Sequence, residues 1–207
     1  MAAHATYGGS TMERTKKCSS WVEFCKNLPS GGSNSFADEG TLLHNAMEKI
    51  YTESSDFNSR SVIGMTYEGE TLTEELYKSK IIPAINAVEL VFEKYNVDED
   101  GFLCESRVEI AEDTWGWSDL LAVGSIEIEG ETFKVALCLD YKFGFNIVDP
   151  VENSQGLFYS VAAAETEETK HFFAGIDLLA VGIIQPNDRG LEVAPIWEIS
   201  ADRLVGE

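Results

Sequence analysis

Asp119 opens the apolar run LLAV, and Asp140 and Lys142 close the next apolar run as Asp-Tyr-Lys. Acids that end neighbouring strands can converge on one point in space. Hard divalent cations such as Mg²⁺ take oxygen ligands of this kind and keep several waters. A cation so held polarises a phosphodiester and activates a water. Residues two apart on a strand share a face, so Lys142 reaches the same side as Asp140. There it can position or deprotonate the attacking water, or offset developing negative charge. Gln155 and Tyr159, four apart in ENSQGLFYSVAAAE, share one face of a helix. These residue types fit metal-dependent phosphodiester hydrolysis. An isolated D-x-K recurs by chance in many chains, where it is an exposed ion pair at a strand end.

The elements that must position these side chains follow from periodicity. Leu103–Ile110 reads as a strand, with Glu105, Arg107 and Glu109 on one face and Cys104, Val108 and Ile110 mainly on the other. Trp117–Val123 is a second strand. Ile126–Ile128, a Glu129-Gly130 turn and Phe133–Asp140 form a hairpin. Asn153–Glu165 is a helix. Ile176–Ile184 is a nearly continuous apolar strand, the pattern of burial on both faces. Residues 185–190 are a loop, and Leu191–Ile199 is a last strand.

Upstream the pattern is helical. Residues 1–12 are small and polar. Met12–Asn27 places Cys18, Trp21, Val22 and Cys25 at helical spacing, and Pro29 with the following Ser-Gly-Gly-Ser run breaks it. A helix beginning near Ala37 carries the apolar face Leu42, Leu43, Ala46, Met47 and Ile50, with His44 one step off its centre. A lone histidine in such a helix is usually a plain surface or core residue. Residues 52–73 read as an irregular excursion. A long helix spans Thr73–Tyr95, with a kink or a restart at Pro83. Helices, three strands, a helix and two more strands make one α/β domain over residues 1–207. Residues 1–100 are mainly helical, and 101–207 form the sheet core with the site.

Composition sets limits on function. The chain has 207 residues, 44% hydrophobic and 25% charged, as in ordinary globular proteins. No run approaches the ~18 apolar residues of a membrane span, and MAAHATYGGS lacks the apolar centre of a signal peptide. The expectation is a cytoplasmic protein with no membrane association. The four cysteines form no CxxC pair and read as buried free thiols, Cys138 lying inside an apolar strand. Trp115 and Trp117 could stack on bases but read first as core. The net charge of −21 opposes general affinity for nucleic acid, which comes from neutralising phosphates with Lys and Arg.

The arrangement GWSDLLAV, VALCLDYKFG and NSQGLFYS resembles the PD-(D/E)xK nuclease superfamily. It is closest to the RecB-like branch, with its G-x-x-D, D-Y-K and Q-x-x-x-Y motifs. GGSTMERTKKCSSW followed by ADEGTLLHNAME resembles the opening of phage-encoded exonucleases, which carry an E-G-T-x-x-H helix. The resemblance runs from Gly9 to Ala164. It implies a restriction-endonuclease-like core, a central mixed sheet flanked by helices with an N-terminal helical portion. It also implies a Mg²⁺- or Mn²⁺-dependent DNA exonuclease of phage recombination or DNA processing, working in the host cytoplasm. Asp119 and Asp140 would bind the metal, with His44 as a further ligand or beside it. The Tyr141 backbone carbonyl would complete the shell, and Glu105 would be an additional acid near it. Lys142 would act on the attacking water, and Gln155 and Tyr159 would orient the DNA strand. Branches with an iron–sulfur cluster carry three cysteines after the Q-x-x-x-Y helix. None follows Cys138 here, so no cluster is expected.

The charge must be reconciled with a DNA substrate. Arg14, Lys16, Lys17, Lys26 and Lys142 could gather at the cleft. A bound metal offsets part of the site's charge. A homo-oligomer or a basic recombination partner could supply the DNA contacts. Two other readings compete: a non-catalytic nuclease-fold protein whose acidic surface binds a basic protein as DNA does, and a hydrolase of small nucleotides.

Overall fold

Amphipathic helices fill the first half of the chain. The computed structural model describes residues 5–25, 35–53, 57–187 and 189–203. The first helices are α1 (Met12–Lys17), α2 (Trp21–Cys25) and α3 (Ser35–Thr52). The single helix expected over 12–27 is thus two short ones. Cys18 is extended, with φ −152° and ψ 98°, and serines follow it that compete for backbone hydrogen bonds. The Trp21 indole N–H donates to Thr15 Oγ1 at 2.9 Å and ties α2 to α1. Pro29 and the Ser-Gly-Gly-Ser run lie outside the described residues. The face expected for α3 is the one it buries: Leu42, Leu43, Ala46 and Met47, with Ile50 packed alongside.

The stretch expected to be irregular holds a small hairpin, β1 (Thr66–Tyr67) and β2 (Glu70–Thr71). Its turn residues Glu68 and Gly69 both have positive φ, the geometry of a tight hairpin turn. The helix predicted over 73–95 is α4 (Glu74–Leu76), a π turn (Tyr77–Ile81) and α5 (Ile82–Lys94). Thr73 caps it, Oγ1 accepting from the Leu76 N–H at 3.2 Å. Pro83 has no N–H, and its ring would strike the carbonyl four residues earlier. The π turn widens the helix just before Pro83, where a kink or a restart is expected.

The second half supplies β3 (Phe102–Ala111), β4 (Thr114–Ile128), β5 (Glu131–Tyr141), α6 (Ser154–Glu165), α7 (Lys170–Phe173), β6 (Leu178–Ile184) and β7 (Ile196–Ser200). These strands form one sheet in the order β3-β4-β5-β6-β7. Only β5 and β6 run parallel, and α6 and α7 lie between them in sequence. The fold is therefore α/β, a mixed five-stranded sheet flanked by helices, with a helical N-terminal part. The two strands expected over 117–123 and 126–128 are one, because pairing with β5 continues unbroken through Gly124 opposite Val135. The last strand begins at Ile196 rather than Leu191, after Pro195, which has no N–H to give a ladder.

The sheet separates two apolar layers. On one face, α3 and α5 pack on Leu120, Ala122, Leu137, Leu139 and Tyr141. On the other, α6 covers Leu121, Cys138 and Val108. Strand β3 changes phase between them. Cys104 belongs with the α3 side and Val108 with the α6 side, although both positions are even-numbered. Glu105 has φ +43°, and this left-handed residue flips the alternation. The expected grouping of Cys104 with Val108 fails for that reason, and Ile110 is half exposed. Of the thiols, Cys138 is buried, Cys25 and Cys104 are partly so, and Cys18 is exposed. Among the described residues, no helix is long and apolar enough to cross a membrane.

Candidate functional site

Strands β4 and β5 part at the two acids. Their ladder runs from Ile128 opposite Glu131 to Leu120 opposite Leu139, and ends there. Beyond it, β5 stays attached to β6 through Tyr141 opposite Ile184. The Tyr141 N–H, freed from β4, donates to Asp119 Oδ2 at 2.6 Å. The other Asp119 oxygen lies 3.3 Å from His44 Nδ1, which α3 brings in from the first half of the chain. Glu105 stands opposite Asp119 on β3, at the phase change. Ligand atoms of His44, Glu105 and Asp119 all lie within 4.8 Å of one another.

Asp140 is turned to the α6 side and forms a second group. Its Oδ1 accepts from Gln155 Nε2 at 2.9 Å, and its Oδ2 pairs with the Lys142 ammonium. Gln155 Nε2 also donates to the Tyr159 hydroxyl at 3.3 Å. Lys142 and Asp140 therefore do share a side, as their spacing requires, and Gln155 and Tyr159 do share a helix face. Asn153 starts that helix by accepting the N–H groups of Gln155 and Gly156. The Tyr159 ring fits because its neighbours are glycines. A Cβ at Gly9 would lie 2.4 Å from the ring, and one at Gly116 would lie 2.8 Å from it. Gly9 is a contributor that the sequence patterning does not single out.

Burial and crowding set the proton affinities. Burial first, then the Asp119 charge, pushes the Asp140 carboxyl up to about 6 against the pull of Lys142. The same two causes push Glu105 up to about 7. Burial works against protonation of His44, but the Asp119 carboxylate outweighs it and raises the imidazole above its ordinary value. Three acids thus crowd a half-buried space where one imidazole and one ammonium offset their charge. Crowding of this kind favours a cation.

The donor set suits one. An imidazole and two carboxylates are ligands that divalent metals accept, and Asp140 adjoins them through Asp119. Tyr141 itself is fixed: its ring is buried, edge-on to His44 at 5.9 Å and stacked on Phe143 at 6.3 Å. Its carbonyl directly follows Asp140 in the chain.

The cations expected at the cleft divide. Lys142 is in the site. Lys16 lines a groove of about 540 Å³ together with Asn153 and Gln155. Lys17 pairs with Glu13 at 2.9 Å, and Arg14 sits over Trp21 at 5.0 Å. Lys26 lies outside the described residues. Core packing fails for Trp117, which is 49% exposed, and Trp115 is half-buried beneath the Arg107 guanidinium at 4.9 Å.

A family model described as a protein of unknown function, DUF2800, matches residues 4–206. No curated protein matches the chain.

Proposed function

The chain belongs to the DUF2800 family of unknown function, and from its site we propose a metal-dependent DNA nuclease that acts on strand ends. The observation that carries this reading is the parting of β4 and β5 at Asp119 and Asp140, with His44, Glu105 and Asp119 within 4.8 Å of one another. His44, Glu105 and Asp119 would hold a Mg²⁺ or Mn²⁺ ion, with Asp140 beside them. When bound, such an ion polarises the phosphodiester and lowers the pKa of a water. Asp119 fixes the end of β5 while it presents its second oxygen to the site. Lys142 holds Asp140 ionised and carries the charge that can orient the attacking water. Gln155 and Tyr159 form a hydrogen-bonding arm from α6 that can position the strand. Roles in phage recombination or genome processing follow from the resemblance to phage exonucleases.

The net charge of −21 favours a second reading, a non-catalytic acidic protein that binds a basic partner. Digestion of end-labelled single-stranded and duplex DNA at low salt separates them. Wild type, Lys142→Ala and Asp119→Asn are compared with Mg²⁺, Mn²⁺ or EDTA. Metal-dependent loss of label, abolished by both substitutions, is the expected result. A folded wild type that cuts nothing with either metal overturns the nuclease.

A further inference from the structure

Aromatic rings stand in solvent within three residues of site side chains in the sequence, at Phe145 and Trp117. Phe145 follows Lys142 by three positions and is 73% exposed. It meets Phe36 of α3, 69% exposed, edge-on at 5.6 Å. The loop beneath Phe145 is clamped by Gln185, which is 3% exposed. Gln185 Nε2 donates to the carbonyls of Gly144 at 3.0 Å and Asn146 at 2.8 Å, and its Oε1 accepts from the Val148 N–H at 3.0 Å. A buried amide that spends its hydrogen bonds on this loop fixes an apolar ring outward. On the sheet, Trp117 is two residues before Asp119 and pairs with Arg107 across the β3–β4 ladder.

Scattered exposed apolar residues need no explanation. Rigid rings on two elements that both carry site residues do. We propose that Phe145 and Trp117 are stacking platforms for the bases of a single-stranded substrate. This deepens the nuclease reading and rests on it. The charge argues for stacking. A chain of net charge −21 gains little from tracking phosphates, and the lysine in the site, Lys142, is already paired with Asp140. Stacking on a ring contributes about 1–3 kcal/mol per base and does not depend on phosphate charge. Bases inside a duplex cannot reach the rings, whereas those of a single strand or a frayed end can. The substrate class is therefore single-stranded DNA, bound with a shallow salt dependence.

The test is a cycle of ring and base. A single-stranded oligonucleotide is compared with a backbone of the same length whose sugars carry no bases, under Mg²⁺ or Mn²⁺. For wild type, removing the bases, and with them both stacks, raises KM about a hundredfold. Phe145→Ala and Trp117→Ala each raise KM for the normal oligonucleotide about tenfold. Ring loss and base loss combined cost no more than base loss alone. Phe145→Tyr and Trp117→Phe keep the wild-type KM. Independent, multiplying penalties, or a wild type indifferent to the bases, overturn the inference. If both substrates are cut and Asp119→Asn stops cutting, such a result leaves the nuclease standing and removes only the platforms. If a folded wild type cuts neither, the nuclease reading itself has failed, and the platforms with it.

Discussion

Asp119 Oδ2 accepts the Tyr141 backbone N–H at 2.6 Å, across the gap where β4 and β5 separate. One carboxylate therefore has two tasks: it replaces a missing rung of the ladder, and it offers its other oxygen to His44. Substitutions separate the tasks. Asp119→Asn keeps an acceptor for Tyr141 and should fold, but bind Mn²⁺ at least tenfold more weakly in calorimetry. Asp119→Leu leaves a buried N–H without a partner, which costs about 1–3 kcal/mol. Its denaturation midpoint should fall below that of Asp119→Asn.

Without metal, stability should decline as pH rises. Glu105 titrates near 7 in the folded chain against an ordinary 4.5, and Asp140 near 6 against 3.8. The folded state thus binds more protons than the unfolded state between those values. Their contribution is complete below the ordinary values and is lost as pH passes through 6 to 7. Thermal unfolding in EDTA from pH 4.5 to 8 should show this fall, and Glu105→Gln should flatten it. Mn²⁺ should restore stability mostly at the alkaline end, because its ligands must first lose protons.

Gly116→Ala should disturb the site through Tyr159. The new Cβ would lie 2.8 Å from the ring. Overpacking of this sort costs about 1–3 kcal/mol. Displacing the ring also breaks the contact between Gln155 and the Tyr159 hydroxyl. Digestion of labelled DNA should fall further than the loss of stability explains, with denaturation measured alongside.

Gln185→Leu should release the loop after Lys142. Two carbonyls and the Val148 N–H lose their partner together, at about 1–3 kcal/mol. Hydrogen exchange should show the Val148 amide opening faster, with the amides of β6 protected as before.

Much of the scaffold was legible because its signals are local. The hairpin around Glu129-Gly130, the α6 face with Gln155 and Tyr159, and the buried strand β6 each follow from turn chemistry or periodicity within a few residues. The phase change at Glu105 was not legible, since nothing in its neighbours announces a left-handed glutamate. Alternation carried through it misplaces Val108. The Glu68-Gly69 turn carried the same kind of signal as Glu129-Gly130, but the two-residue strands beside it are too short to show a period. Trp117 reads as core because rings usually are, and only the folded sheet shows it half exposed. At the site, spacing put Lys142 beside Asp140. The gathering of His44, Glu105 and Asp119 from three elements required the fold.

The β4–β5 ladder also orders events in time. An antiparallel hairpin closes from its turn outward, each rung enclosing only slightly more chain than the last, so its entropic cost stays low. Here closure starts at Glu129-Gly130 and its final rung is Leu120 with Leu139. The next rung would set Asp119 against Asp140, two like charges that resist being paired. The zipper stops at the residues that need to stand apart. The gap that the site occupies is thus set within the hairpin itself, by the two acids at which its pairing ends.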